Sequence, residues 1–247
     1  MVMIPKKIHY CWFGKNPLTE SAIRCINSWK KYCPDYEIIE HNEDNYDIYK
    51  YTYTKEAYEA KKWAFVSDVA RLDILYNEGG IYLDTDVELL KSLDSLLDSE
   101  GFMGFEDKKQ VASGLGIGAV KNSPIVELML QEYKNSSFVK DNGEYDLTPC
   151  PVRNTKELVK LGLIPNGKYQ EIDNFKFLPR EILAPKEATS GRLKYMTDAT
   201  ISIHHYDASW QTPIFHKQKR INYILGGRLG YKVIRVLTKL GVWEEQL

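Results

Sequence analysis

The chain has 247 residues, of which 43% are hydrophobic, and this size and composition suit one large α/β domain with a sizeable buried core. Its formal net charge of −1 gives no overall basic field of the kind that attracts nucleic acid, so we expect no nucleic-acid partner. The N terminus lacks the apolar stretch of a secretory signal, and no run reaches the roughly 18 apolar residues of a membrane span, so we expect a cytoplasmic protein.

The first predicted strand covers residues 4–13, ends at Gly14 and carries Trp12 near its carboxyl end. In open α/β sheets ligands bind beyond the carboxyl ends of the strands. Trp12 is therefore placed either to offer a flat face to a nucleotide base or to pack as an ordinary core residue. A helix over residues 19–32 and a second strand over residues 36–40 follow.

Residues 64–86 are the stretch around which the chain is organised. Apolar residues at helical spacing predict an amphipathic helix that ends at a double glycine. The strand of residues 81–83 then brings Asp84 and Asp86 to its carboxyl end, where alternation places both side chains on one face. Two neighbouring carboxylates repel each other unless a cation or donor groups neutralise them, and hard divalent cations prefer oxygen ligands. The sequence therefore predicts a cation site.

Asp68 and Arg71 are three residues apart on this helix and share one face. Exposed pairs of this kind contribute under about 1 kcal/mol and often have no further role. Here the rest of the helix is rich in residues of buried type, and the chain returns beside it to Asp84. The pair therefore also fits contact with a polar ligand.

Further strands are predicted over residues 87–90 and 101–105, and a helix over residues 124–133. The glycine-rich residues 111–120 have no phosphate-loop spacing, so we expect their glycines to serve close packing of the backbone. Residues 152–200 are predicted to form short strands and turns.

A last strand over residues 201–206 holds His204 and His205, whose side chains point to opposite faces. At most one of them faces a site that Asp86 also faces, and we choose His205. A single histidine is more often a structural residue than a metal ligand, so both interpretations stay open.

Residues 217–240 carry several lysines and arginines and no acidic residue. A helix here would have a basic face opposite an apolar face, as in helices that lie on anionic membranes. An amphipathic helix that docks on the domain shows the same pattern. We therefore divide the chain into a domain of residues 1–215 and a basic amphipathic tail of residues 216–247. The basic face comprises Arg228, Lys232, Arg235 and Lys239.

Residues 67–86, SDVARLDILYNEGGIYLDTD, resemble the signature of glycosyltransferase family 32, which is shared with the large glucosylating toxins. The opening run IPKKIHYCWFG and the later run IHHYDASW are similar to the first and last motifs of the family, so the resemblance spans residues 4–210. It implies a GT-A-like α/β fold with a central mixed sheet flanked by helices. The signature positions are Ser67, Asp68, Arg71, Gly79, Gly80, Tyr82, Asp84, Thr85 and Asp86.

The resemblance implies a sugar transferase that retains the anomeric configuration and uses Mn²⁺ or Mg²⁺ to stabilise the departing diphosphate. Asp86, with His205, is the implied metal ligand, and Asp84 would serve the ribose and the water shell of the metal. The other implied site residues are Asp68 for ribose or sugar hydroxyls, Arg71 for phosphate or sugar oxygens, Trp12 for the base, and Ser209 and Trp210 for the diphosphate.

The expected substrates are a nucleotide diphosphate sugar, with UDP favoured, and an oligosaccharide or lipid-linked acceptor in bacterial surface polysaccharide synthesis. The enzyme would then lie peripherally on the inner face of the cell membrane. On the acceptor side, Cys150-Pro151 stands where the family carries a Gly-Pro step. The alternatives are a toxin-like transferase that modifies a protein and a catalytically silent module that binds sugar nucleotides.

Overall fold

The computed structural model describes residues 3–188, 190–207, 213–225 and 227–239. The strands are β1 (Lys7–Cys11), β2 (Glu37–His41), β3 (Gly80–Tyr82), β4 (Val87–Leu89), β5 (Gly101–Phe105), β6 (Val111–Ala119), β7 (Gln170–Ile172), β8 (Phe175–Leu178) and β9 (Ser202–His204). The helices are α1 (Glu20–Tyr32), α2 (Thr52–Glu59), α3 (Trp63–Glu78), α4 (Pro124–Lys134), α5 (Cys150–Lys160), α6 (Arg180–Leu183), α7 (Pro213–Leu225) and α8 (Gly227–Lys239).

Seven strands form one mixed sheet in the order β2-β1-β3-β6-β5-β8-β7. Strand β1 runs parallel to both β2 and β3, so the carboxyl ends of these three strands meet at one edge of the sheet. Strand β6 runs antiparallel between β3 and β5 and therefore enters the sheet from that same edge. Strands β4 and β9 form a separate antiparallel pair.

Two hydrophobic cores cover the two faces of the sheet, because successive side chains of a strand point to opposite sides. On β3, Tyr82 packs in the core that contains α3 and α4, whereas Ile81 packs with Trp29 of α1 in the other core. Both faces thus carry helices, and the predicted α/β class with a central mixed sheet flanked by helices is confirmed. None of the described helices is both long and apolar enough to cross a membrane.

The organising stretch has the predicted local structure. Helix α3 ends at Glu78, and Gly79 follows with φ +69°, a left-handed conformation that favours glycine. The close backbone packing predicted for the glycine-rich strand is also confirmed, because a Cβ on Gly118 would lie 2.3 Å from the ring of Phe102.

The prediction of short strands and turns over residues 152–200 was wrong at its start, where α5 lies. Pro149 and Pro151 flank the first residue of α5 and led us to expect a turn, yet proline is well tolerated in the first turn of a helix. Helix α5 packs on β6, so the error concerns an element that borders the sheet edge.

The side chain of His9 links β1 to the turn that ends α3. Its Nε2 lies 3.0 Å from the carbonyl oxygen of Gly79, and its Nδ1 lies 3.0 Å from Nε2 of His41. Because a carbonyl oxygen accepts but does not donate, the His9 proton resides on Nε2 and Nδ1 accepts from His41. Burial lowers the pKa of each ring to about 4, so both are neutral in the folded protein.

We expect the free energy of unfolding to fall as the pH drops from 6.5 towards 4. The folded state resists protonation of His9 and His41, whereas both rings take up protons near 6.5 when unfolded. At about pH 5 this costs roughly 2 kcal/mol per histidine. Urea unfolding of the wild type and of the variant H9Q/H41Q at about pH 7 and about pH 5 checks this. The variant should lose much less stability on acidification, and an equal loss in both proteins would contradict the assignment.

Candidate active site

Asp84 and Asp86 follow β3 at the edge where the parallel strands end. Each offers a carboxylate oxygen to a group completed by a ring nitrogen of His204, and within the described residues these ligand atoms lie within 4.8 Å of one another. The pairing of β4 with β9 explains the third member, because Val87 lies opposite His204 in the antiparallel register. A turn at residues 83–86 is thereby held against the end of β9.

The histidine at this site is His204, which corrects the choice of His205. His204 Nε2 lies 3.2 Å from Asp86 Oδ1 and 3.8 Å from Asp84 Oδ2. His205 points the other way, and its Nε2 lies 2.9 Å from Glu88 Oε2. Alternation along a strand correctly predicted opposite faces, but the face is decided by the register of β9 on β4, which local sequence does not reveal.

His204 and Asp86 form a buried ion pair. Burial lowers the pKa of His204, but the charges of Asp86 and Asp84 outweigh this and raise it to about 10. Burial raises the pKa of Asp86, but His204 and the backbone N–H of Asp207, 2.8 Å from Asp86 Oδ2, bring it well below its usual range. A protonated ring thus occupies the position in which a cation would neutralise the two carboxylates.

This donor set fits a divalent cation. Carboxylate oxygens suit Mg²⁺ and Mn²⁺, and the added imidazole nitrogen favours Mn²⁺ of the two. A cation bound to Nε2 would displace the proton of His204, and a neutral ring would then carry its proton on Nδ1. That atom is buried and has no hydrogen-bond partner in the described part of the chain. His204 therefore lacks, among those residues, the acceptor that usually orients a metal-binding histidine.

Arg71 joins the helix α3 to the aspartate turn. It is only 3% exposed, and its Nη2 lies 3.0 Å from Oδ1 of both Asp84 and Asp68. Although burial lowers the pKa of Arg71, the carboxylates of Asp84 and Asp68 raise it further, so it remains a guanidinium. Its other N–H groups donate to Ser113 Oγ (3.3 Å), Cys150 Sγ (3.7 Å) and the carbonyl oxygen of Ser67 (3.1 Å).

The carboxylate of Asp84 is held from three sides. Its Oδ1 accepts from Arg71 and, at 3.0 Å, from the hydroxyl of Tyr82. Its Oδ2 lies against the backbone of Gly114, where an added Cβ would come within 2.2 Å of that oxygen. Gly114 was predicted to serve backbone packing; the structure shows that the space it leaves is filled by the Asp84 carboxylate.

Asp68 lies on the far side of Arg71 and is 8% exposed. Burial raises the pKa of Asp68 to about 6, and the nearby Asp84 adds to this, although Arg71 opposes both. Asp68 is thus brought together with Arg71 and Asp84, as the sequence predicted. Its contact with ribose or sugar hydroxyls stays a prediction.

Trp12 directly follows β1, whose carboxyl end lies beside that of β3. Its indole N–H donates to the carbonyl oxygen of Asn16 at 2.6 Å, and its ring is partly buried against the second core. Stacking on a base stays a prediction. Ser209 and Trp210 lie outside the described residues.

Tyr82, Cys150 and Asp207 were not predicted as site residues. Tyr82 belongs to the signature block, so its position was visible although its contact with Asp84 was not. Cys150 was noted as a departure from the family, and its thiol lies beside Arg71 and Ser113. Asp207 is held by a 2.6 Å hydrogen bond from the Ser21 hydroxyl, a contact between residues 186 positions apart that no local pattern shows.

Comparison with known proteins gives matches of one kind. Residues 19–103 match the family described as the glycosyltransferase sugar-binding region containing a DXD motif. Inositol phosphoceramide mannosyltransferase 1 of Schizosaccharomyces pombe is 29% identical over 114 residues, which cover 42% of this chain and 34% of that protein. Inositol phosphoceramide mannosyltransferase 3 of the same organism is 29% identical over 143 residues, which cover 55% and 38%. The chain spans about a third of the length of the curated relatives it matches.

Among solved structures, the chain is similar to the PaToxG glycosyltransferase, with a TM-score of 0.49 and 24% identity over 64% of this chain and 70% of that one. The family match includes Asp68, Arg71, Asp84 and Asp86, so the resemblance predicted from residues 67–86 is confirmed. The chain carries, over residues 19–103, the sugar-binding region with a DXD motif that is found in glycosyltransferases.

Proposed function

We propose that the protein is a metal-dependent, retaining glycosyltransferase that moves a hexose from a nucleotide diphosphate sugar, with UDP favoured, to an oligosaccharide or lipid-linked acceptor. The observation that carries this proposal is the convergence of Asp84, Asp86 and His204 within 4.8 Å. The cluster lies at the carboxyl ends of parallel strands, where α/β sheets bind their ligands.

A divalent cation held by Asp84, Asp86 and His204 would stabilise the negative charge on the departing diphosphate. The acceptor hydroxyl oxygen forms the new bond to the anomeric carbon as the bond from that carbon to the phosphate oxygen breaks. The leaving phosphate, on the same face of the sugar, takes the proton of the acceptor hydroxyl. The chain's own residues supply orientation: the N–H of Asp207 holds one oxygen of Asp86 and leaves the other facing the cluster.

Arg71 acts as a positioning residue in this proposal. The predicted contact with phosphate or sugar oxygens would require Arg71 to give up a protein partner, because each of its N–H groups already donates to the protein. Its guanidinium instead fixes Oδ1 of Asp84 and leaves Oδ2 on the side of His204. Asp68 and Arg71 thus set the direction of the DXD carboxylate.

The wider biological role belongs to the same proposal. The curated relatives are mannosyltransferases for inositol phosphoceramide, which supports mannose among the hexoses and a lipid among the acceptors. We assign the chain to bacterial surface polysaccharide synthesis at the inner face of the cell membrane. The exposed residues Leu229, Lys232, Arg235 and Val236 of α8 support membrane contact through the tail. The side chains of Arg228 and Lys239 lie outside the described part.

A thermal-shift panel tests the activity at the level of donor binding. UDP-, GDP-, CMP- and dTDP-sugars are each added with and without Mn²⁺, and one nucleotide class should raise the melting temperature in the presence of the metal. The substitution Asp86→Asn should abolish this metal-dependent shift and lower donor hydrolysis at least about a hundredfold. Asparagine keeps an oxygen for the N–H of Asp207, so the fold should persist.

Asp98→Asn serves as the control for the panel, because Asp98 is exposed and outside the cluster. It should behave as the wild type. A wild-type protein that no sugar nucleotide stabilises would refute the proposed activity, and an Asp86→Asn protein with a full metal-dependent shift would remove Asp86 from the metal site.

The substitution Gly114→Ala should weaken Mn²⁺ binding and turnover by about tenfold or more, because the new methyl group would displace Asp84 Oδ2 and press on Arg71. Mn²⁺ titration by calorimetry and donor hydrolysis measure the effect. Gly143→Ala is the control: it places alanine at a comparable positive φ where a Cβ meets nothing within 4 Å. Equal effects of the two substitutions would show that strain, rather than the loss of space for Asp84, is responsible.

The double substitution K232E/R235E should lower binding to vesicles of phosphatidylcholine with phosphatidylglycerol by about tenfold or more, because each basic residue near an anionic surface contributes about 1 kcal/mol. Co-sedimentation measures bound protein. The variant K108E/K109E makes the same charge change in an exposed loop of the domain and should bind as the wild type does. If both variants lose binding equally, the tail is not the membrane contact.

A further inference from the structure

A cavity of about 400 Å³ lies behind β9, between the segment of residues 186–193 and helix α7. It is separate from the candidate active site, because His205 lines it while His204 faces the aspartates on the other side of the strand. Its size falls within the range of roughly 300 to 1,000 Å³ that holds small-molecule ligands. The lining side chains are Lys186, Arg192, Leu193, Ile203, His205 and Tyr223.

Lys186 brings a positive charge to the cavity wall. Its Nζ lies 3.2 Å from Nδ1 of His205. An ammonium group has no acceptor, so Nδ1 accepts and the proton of His205 resides on Nε2, which donates to Glu88 Oε2 at 2.9 Å. The carboxylate thus reaches Lys186 through the imidazole ring, and none of the residues that line the cavity is acidic.

Arg192 brings the second positive charge and holds α7 in place. Its Nε and Nη2 donate to the carbonyl oxygen of Tyr223 at 3.0 and 2.8 Å, and Nη2 also donates to that of Ile224. These carbonyls belong to the last turn of α7, where the helix dipole offsets a cation in part. The cavity therefore presents two cations with little neutralising charge and is suited to an anion.

The mouth of the cavity continues into an apolar surface. Tyr223 and Ile224 are 55% and 63% exposed, and Leu229 and Tyr231 on α8 are also exposed. Hydrophobic residues that lie side by side at the surface often mark an interaction site. An anion that carries an apolar chain would match both parts.

We propose that this cavity binds the phosphate group of an amphiphilic, lipid-linked acceptor. The inference rests on the proposed function, since it names the acceptor class for that transfer. Lys186 and Arg192 hold the phosphate oxygens through charge-assisted hydrogen bonds, and the exposed apolar residues of α7 and α8 receive the lipid chain. A phosphate without a chain would leave the apolar walls formed by Leu193 and Ile203 without a partner.

Calorimetric titration of the full chain with dodecyl phosphate, below its micelle concentration, tests the site. The wild type should bind it, and Lys186→Gln should weaken binding about tenfold or more, which is the loss expected for one charged hydrogen bond. Lys194→Gln is the matched control: it removes the same charge from the same segment, but Lys194 is exposed, pairs with Glu187 at 2.6 Å and does not line the cavity. It should change affinity less than about twofold.

Arg192→Gln gives a second variant, since it also removes a lining charge. It loosens the contact with α7 as well, so Lys186→Gln, which leaves that contact intact, carries the decision. Full affinity in Lys186→Gln would overturn the proposal. Equal affinity of the wild type for inorganic phosphate and dodecyl phosphate would overturn the amphiphile, and equal affinity for dodecyl maltoside would overturn the phosphate.

The same proteins separate this inference from the proposed function. Asp86→Asn should keep full affinity for dodecyl phosphate while it loses the metal-dependent donor shift, and Lys186→Gln should do the reverse. If the wild type binds dodecyl phosphate but no sugar nucleotide, the acceptor role is overturned and a lipid-phosphate site remains. If it binds a sugar nucleotide with metal but not dodecyl phosphate, the proposed function stands and the cavity assignment is overturned.

Discussion

The buried guanidinium of Arg71 is the contact on which the geometry of the site depends. It connects α3, the turn after β3, the strand β6 and the first residue of α5. A buried charge is tolerated when its hydrogen bonds are satisfied, and removal of one partner of such a pair costs about 3 to 5 kcal/mol. Arg71 has a partner for each N–H group, so its position is strongly determined. The direction of Asp84 follows from it.

The charges of the site are arranged around an incomplete balance. Arg71 lies between Asp68 and Asp84, and protonated His204 lies between Asp84 and Asp86. Three carboxylates thus face two cations, and one of those cations is a proton that a metal can displace. The raised pKa of His204 and the lowered pKa of Asp86 have the same origin, which is their mutual attraction. A site that must hold a divalent cation reversibly benefits from such a replaceable charge.

Much of the architecture could be predicted because its signals are local. Helix α3, the glycine stop, β3 and the pair Asp84 and Asp86 lie within one continuous stretch, and helix α1 begins at its expected cap Thr19. What the sequence did not reveal depends on contacts between distant segments. The choice between His204 and His205 follows from the register of β9 on β4, more than a hundred residues earlier in the chain. The thiol of Cys150 reaches Arg71 because α5 packs on β6, and the turn-forming residues at its start concealed that helix.

Strand β9 gives this dependence on register a functional side. It has three residues, pairs with β4, and continues into His205, whose N–H donates to the carbonyl oxygen of Asp86. The same backbone therefore orients His204 towards the carboxylates and His205 towards Lys186. A slip of one residue would exchange the two rings and disturb both places at once. Two neighbouring histidines with opposite surroundings, one charged between carboxylates and one neutral between a lysine and a glutamate, are thus a consequence of a single strand pairing.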